Sequence, residues 1–217
     1  MTSQQPIPPL PPPPQPAQAA GLLAEAAQAA AGAWAQPLDP DRHSRAVSQL
    51  YSAVRDLGIA TRGLAQWVPV DGPSGTASAE LAQHVTAGAR WLLSAWNCLD
   101  EVLAFGGAGR LPDPGEPGAA LCHTARLTIL AWRQPQGSSL DRETAIRQLI
   151  SAIGFLSGAT ASLAACALGH RAIDLLAVGV CLAEATASLA AAIQEPGDGP
   201  VARPEQVTVR HQPGWPE

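Results

Sequence analysis

The sequence predicts an all-α protein, a six-helix bundle that arose by tandem duplication of a three-helix unit in the order short, long, long. Two observations predict it. Between residues 17 and 194 the pattern is helical, and from Val47 to Val68 the seam residues recur at alternating spacings of three and four, which is the period of an amphipathic helix. The segment 46–65 also returns at 145–164 with ten identities in twenty positions. The same helical pattern in two similar segments indicates two copies of one unit.

Prolines and a capping residue place the first two helices. The first helix, 17–36, is rich in alanine and is stopped by Pro37. Asp39 followed by Pro40 starts the second helix, because the carboxylate can accept a bond from a free amide and the proline presets φ. Pro69 ends this long helix. A short helix followed by a long one is therefore expected.

The third helix and the boundary between the units follow. A loop leads into a helix near 78–105, and the Gly- and Pro-rich segment 106–118 is the longest internal break. It is the predicted linker between the first unit, 17–105, and the second unit, 119–194.

The second unit repeats the plan of the first. A short helix covers 119–134, and a capping serine, Ser138 or Ser139, starts a long helix that continues to Gly169. A sixth helix then runs to about residue 194.

Both ends of the chain are predicted to be disordered. Residues 1–16 contain eight prolines and no charge, so they form an extended arm that cannot join a core. The arm is either a recognition motif for an aromatic groove or only a tail. Residues 195–217 are broken by Pro and Gly and form the second predicted tail.

Small residues are expected to dominate the core. Alanines seven residues apart run beside the apolar seam of each repeated segment, and a column of methyl groups lets a neighbouring helix approach to about 8 Å. Thr61 and Thr160 fall on the seam itself, where each hydroxyl is expected to bond the carbonyl one turn back. The two columns are Ala46, Ala53 and Ala60, and Ala145, Ala152 and Ala159.

Charge and cysteine content narrow the functional classes. The net charge is −5, and the arginines of the second helix, Arg55 among them, are interleaved with aspartates, Asp56 among them. This pattern predicts a solvated helix face and excludes the basic stripe that nucleic-acid binding needs. The four cysteines contain no CxxC pair, and the first residues lack the features of an export signal. A cytoplasmic protein with reduced thiols is expected.

No catalytic or cofactor signature is present in the sequence. Cys166 and His170 stand one turn apart and could form half of a metal site, but no further donors converge on them in the sequence pattern. There is neither a Ser/His/Asp arrangement nor a Gly-rich phosphate loop. The chain is therefore not expected to be an enzyme or to carry a cofactor.

Two tryptophans are the main candidate site residues. Trp34 and Trp132 occupy equivalent positions, each just before the proline that ends a short helix. Each indole is expected to close the end of its unit. The alternative is an apolar pocket where the two units meet, with Gln36 and Gln134 as its polar groups.

These observations favour a soluble helical interaction or scaffolding protein, with a protein partner or self-association. The first alternative is a small-molecule-binding bundle whose pocket lies at the pseudo-twofold between the repeats. The second is a membrane-associated protein with a helical hairpin at 148–194, because the uncharged stretch 148–170 is long enough to span a bilayer. Asp174 and Glu184 oppose insertion of that hairpin, so membrane association is the less favoured reading.

Overall fold

The computed structural model describes residues 14–67, 75–104, 115–133 and 139–194, which form six helices and, within these ranges, no strand. The predicted all-α bundle is confirmed. The predicted tail, and all but the last three residues of the predicted arm, lie outside the described residues. The helices are α1 (Pro16–Trp34), α2 (Pro40–Gln66), α3 (Gly75–Ala104), α4 (Pro117–Arg133), α5 (Ser139–Ala165) and α6 (His170–Ala191).

Local signals set several helix ends. Asp39 Oδ1 accepts a hydrogen bond from the Arg42 amide at 2.8 Å, with Pro40 in the first turn, as expected from the sequence. The predicted end of α5 at Gly169 was wrong, because the helix ends four residues earlier, at Ala165. Gly169 has a φ of 60° and directly precedes α6 as its N-cap residue. This left-handed conformation reverses the chain between two packed helices at little cost for glycine.

The six helices pack in a closed cycle. Each helix has two main neighbours, in the order α1, α5, α6, α3, α2, α4 and back to α1, and α2 also touches α5. Each short helix therefore lies against the first long helix of the other predicted unit: α1 on α5, and α4 on α2. Exchanging α1 with α4, α2 with α5 and α3 with α6 leaves this set of neighbours unchanged. The duplication and the unit boundaries stay predictions.

A single apolar core runs through all six helices. Every alanine of the two predicted columns is buried, as are the larger apolar residues beside them. Thr61 donates to the Leu57 carbonyl at 2.8 Å, and Thr160 donates to the Ser157 carbonyl at 2.6 Å. Both threonines are buried, so the expected satisfied core hydroxyls are confirmed.

The helices α3 and α6 bury the same pattern of positions. Ninety residues separate the matching core residues of the two helices, and all of them are fully buried. The matching pairs are Val85 and Leu175, Leu92 and Leu182, and Leu99 and Leu189.

Candidate interaction surface

The outer face of α6 carries a row of large apolar side chains in contact with solvent. Ile173, Leu176 and Val180 are 63%, 53% and 62% exposed. Spacings of three and four place them on one face of the helix, opposite the buried Leu175 and Leu182. We call Ile173, Leu176 and Val180 the α6 stripe.

The rest of the outer face of α6 is almost uncharged. After residue 171, Glu184 is the only charged residue among the exposed positions of the helix, and the remaining exposed side chains are alanines. A helix that is apolar all round is normally covered on every side. Here the inner side is covered by α3 and α5, and the α6 stripe is open. After residue 171, the uncovered positions are Ala177, Ala183, Glu184 and Ala187 together with the stripe.

The neighbouring face of α5 continues this uncharged surface. Gly154, Gly158 and Ala161 are exposed on it, and Phe155 borders it. A Cβ added at either glycine would meet no other atom within 4 Å. Packing within the chain therefore does not require these glycines, although glycine inside a helix costs about 0.5–1 kcal/mol relative to alanine.

Length and composition make α5 and α6 candidate membrane spans. This is weak evidence, since core helices of soluble proteins pass the same test. The burial of the two helices differs: 44% of the most apolar part of α5 is inside the bundle, against 28% for α6. Of these two apolar helices, α6 is the one that the described part of the chain covers less.

A cleft of about 600 Å³ opens at one end of the bundle. The start of α2, the end of α3 and the turn between α5 and α6 enclose it. Its walls are largely apolar, and its polar side chains come mainly from α2 and α6. The ring of His43 lies with Nε2 2.8 Å from the Leu163 carbonyl oxygen, which fixes the orientation of one of these polar groups. The main polar residues in the lining are His43, Ser44, His170, Arg171 and Asp174.

The half metal site suggested by the sequence falls in this cleft. Cys166 and His170 both line it. Across the described part of the chain, no three His, Cys, Asp or Glu side chains come together in a way that could hold a metal ion.

The predicted tryptophan sites lie away from the cleft. Trp34 and Trp132 are both buried in the core, and Trp132 Nε1 donates to the Pro16 carbonyl at 3.3 Å. This bond ties the end of α4 to the start of α1. Gln36 is exposed, and Gln134 lies outside the described residues. A ligand role for these four residues stays a prediction.

A buried charged group lies between α2 and α4, where the sequence predicted a solvated face. Asp56 is only 2% exposed, and its Oδ1 accepts a bond from Arg55 Nη2 at 2.9 Å. Its Oδ2 lies 3.5 Å from Arg126 Nε and has no hydrogen-bond partner. The sequence pattern misses this burial because α4, which covers Asp56, is distant in the chain.

Beside this carboxylate, Cys122 is held in its neutral form. Burial and then the negative charge of Asp56 raise the pKa of the Cys122 thiol from 9.0 to about 11. Its Sγ donates to the Gln49 carbonyl at 3.4 Å. A thiol with so little thiolate at neutral pH is a poor nucleophile and a poor metal ligand, so Cys122 acts as a packing residue.

No protein-family model, curated protein or solved structure matches this chain.

Proposed function

We propose that this protein is an interaction module and that the outer face of the α5–α6 hairpin is its docking surface. The observation that carries the proposal is the α6 stripe, in which Ile173, Leu176 and Val180 are each more than half exposed. Contiguous apolar patches on a monomer mark the places where a partner binds. Scattered single side chains, such as Ile59 on α2, have no such meaning.

The energetic argument is the difference between a covered and an uncovered aliphatic side chain. Complete burial of a Val, Leu or Ile side chain stabilises by roughly 1.5–3 kcal/mol relative to full exposure. Each residue of the stripe is more than half exposed. A partner that covers all three therefore gains a substantial part of this free energy for each of them. The surrounding alanines and glycines add contact area with little side-chain entropy to lose.

A protein partner fits the surface better than a lipid bilayer does. Helices that lie on membranes carry Lys and Arg beside their apolar face, whereas this chain has no Lys and a net charge of −5. The charged residue on the outer face of α6 is the acidic Glu184. Membrane binding is therefore an outcome that the experiment below must distinguish.

Site-specific photocrosslinking tests the proposal. A photoreactive amino acid replaces Leu176 in the full chain, which is then irradiated in cells of its own source. The matched control carries the same amino acid at Thr86, the exposed position of α3 that corresponds to Leu176. We expect a discrete protein adduct, identified by mass spectrometry, at position 176 and none at position 86. Absence of any adduct, equal adducts at both positions, or a lipid adduct would each contradict the proposal.

The cleft at the end of the bundle supports a second candidate, the binding of a small molecule. Its volume of about 600 Å³ lies within the range of about 300–1,000 Å³ that is typical of ligand pockets. In this candidate the apolar walls hold the body of the ligand and the histidines hold a polar group. The pocket in this candidate lies away from the tryptophan positions that the sequence suggested.

Comparison of native and denatured masses tests this candidate. Protein purified from its own source should carry an additional small mass that is lost on denaturation. Ala167 lines the cleft, and Ala167→Trp should fill it and remove that mass. Identical native and denatured masses of the wild-type protein would refute it.

We also propose that the two halves arose by tandem duplication. The unchanged set of helix neighbours after exchange of the halves supports it, together with the matching burial along α3 and α6. In such a duplicated protein, each short helix packs against the first long helix of the other unit instead of that of its own unit. The matched substitutions in the Discussion test the equivalence of the halves.

A further inference from the structure

We infer that the partner of the α6 stripe is a second copy of this chain, bound through antiparallel packing of α6 against α6 about a twofold axis. This inference rests on the docking surface proposed above and names its occupant. Closed symmetric dimers are the commonest assemblies of soluble proteins, and they require a surface that is complementary to itself.

The spacing of the stripe has this self-complementarity. Ile173 lies four residues before Ala177, about 6 Å along the axis, and Val180 lies three residues after it, about 4.5 Å in the other direction. With the twofold axis at Ala177, antiparallel packing places Ile173 of one copy against Val180 of the other. Leu176 of each copy then meets its equivalent close to the axis. Every large residue of the stripe is covered by a residue of the same stripe.

The polar groups at the two ends of α6 favour the same arrangement. Glu184 and His170 are both exposed, and each is seven residues from Ala177, about 10 Å along the axis. At 100° per residue they lie on the same side of the stripe. Antiparallel packing brings Glu184 beside His170 and the first turn of α6 in the second copy, where the helix dipole is positive.

The neighbouring surface permits close approach. Gly154 and Gly158 on α5 have open space where a Cβ would stand, so no large side chain at these positions obstructs a second copy. A single pair of helices buries less area than the about 800 Å² per partner of a standard interface. We therefore expect association in the micromolar range.

Sedimentation equilibrium of the full chain is the first experiment. The wild-type protein should dimerise with a dissociation constant between about 1 and 100 μM. I173E and V180R should each weaken the dimer at least tenfold, because each places a charge against an aliphatic side chain. The control is I59E, at an exposed isoleucine of α2 outside the surface, which should leave the dimer unchanged. Circular dichroism verifies that all the variants are folded.

Mixing the two variants tests the register. In an antiparallel dimer of I173E with V180R, the new glutamate faces the new arginine and the second contact remains Ile173 with Val180. The mixture should therefore dimerise at least tenfold more tightly than either variant alone. A parallel arrangement pairs each position with itself and gives no recovery. Loss of both homodimers without recovery in the mixture would overturn the antiparallel register.

Failure of this inference differs from failure of the docking surface itself. A wild-type chain that stays monomeric at 100 μM, while position 176 crosslinks to a different protein, would refute self-association and leave the interaction module intact. A monomer with no adduct at position 176 would refute both. A dimer that persists equally in I173E and V180R would place the contact on another surface and refute this inference.

Discussion

The α2–α3 and α5–α6 hairpins are alike on their inner faces and unlike on their outer faces. Inside, the repeated segments 46–65 and 145–164 bury the same alanines and the same aliphatic residues. Outside, three positions of α3 carry polar side chains, and the three corresponding positions of α6 carry the stripe. The corresponding pairs are Gln83 and Ile173, Thr86 and Leu176, and Arg90 and Val180, all exposed.

The first long helices of the hairpins show the same contrast. Arg55 and Arg62 on α2 correspond to Gly154 and Ala161 on α5, so charged side chains are matched by small uncharged ones. The inner residues face a dense core in which a change of one methylene group is felt. The outer residues have no such constraint from the chain itself. An outer face that is apolar in only one hairpin therefore indicates a contact that only this hairpin makes.

The largest expected effects concern the helices that hold the hairpins together. Trp34→Ala on α1 and Trp132→Ala on α4 should each reduce the free energy of unfolding by about 3–5 kcal/mol, since each removes a large buried indole. Urea titration followed by circular dichroism measures both. Equal stability of wild type and variants would mean that neither indole anchors a short helix.

Substitutions in the alanine columns test directly whether the buried faces of the two hairpins respond alike. Ala53→Leu and Ala152→Leu force three extra carbons between packed helices and should each cost about 1–3 kcal/mol of unfolding free energy. Because the two alanines occupy matching positions of the repeated segments and are both fully buried, the costs should agree within about 1 kcal/mol if the halves are equivalent. A large difference, measured by the same titration, would break the proposed equivalence of the halves.

The contact of each short helix with its long helix differs in one titratable group. Cys122 on α4 corresponds to Ala24 on α1, and burial raises the pKa of the thiol to about 11. Between pH 9 and 11 the unfolded chain loses this proton while the folded chain keeps it. The unfolding free energy should therefore fall there by up to about 1.4 kcal/mol per pH unit, and should show no such fall from this group below pH 9.

The difference between wild type and Cys122→Ala isolates this effect from other titrating groups. The variant places at this position the residue that α1 carries, and the extra decline above pH 9 should disappear. Cys166→Ala, at an exposed cysteine, is the control and should retain the decline. A wild-type curve parallel to that of Cys122→Ala between pH 9 and 11 would show that the thiol is not desolvated.

The smallest expected effects are at the glycines of the outer face. Gly154→Ala and Gly158→Ala should each raise the unfolding free energy by about 0.4–1 kcal/mol, because the added methyl group meets nothing and restricts the unfolded chain. Gly118→Ala is the matched contrast, since its Cβ would overlap the side chain of Gln49. Thermal denaturation should rank the Gly118 variant below wild type and the α5 variants above it. Destabilisation by Gly154→Ala would mean that the chain itself uses this space.

Much of the architecture was readable in the sequence because it depends on local and periodic signals. Asp39, Pro40 and the alanine columns predict helix starts and buried faces without knowledge of any neighbour. The early end of α5 was not predicted, since the apolar period continues past Ala165 and only the positive φ of Gly169 marks the turn. The candidate interaction surface was still harder to predict from the sequence, because the exposure of a helix face depends on which other helix covers it.

The sequence by itself determined the helical class, the number of helices and the two buried seams, because each follows from the spacing of residues along one segment. Only the tertiary structure decided that α1 lies on α5 and α4 on α2, that Asp56 is buried, and that the α6 stripe is uncovered. Periodicity makes a face apolar, but it does not say which neighbour will cover it. Which neighbour covers a given apolar face depends on how the six similar helices pack against one another.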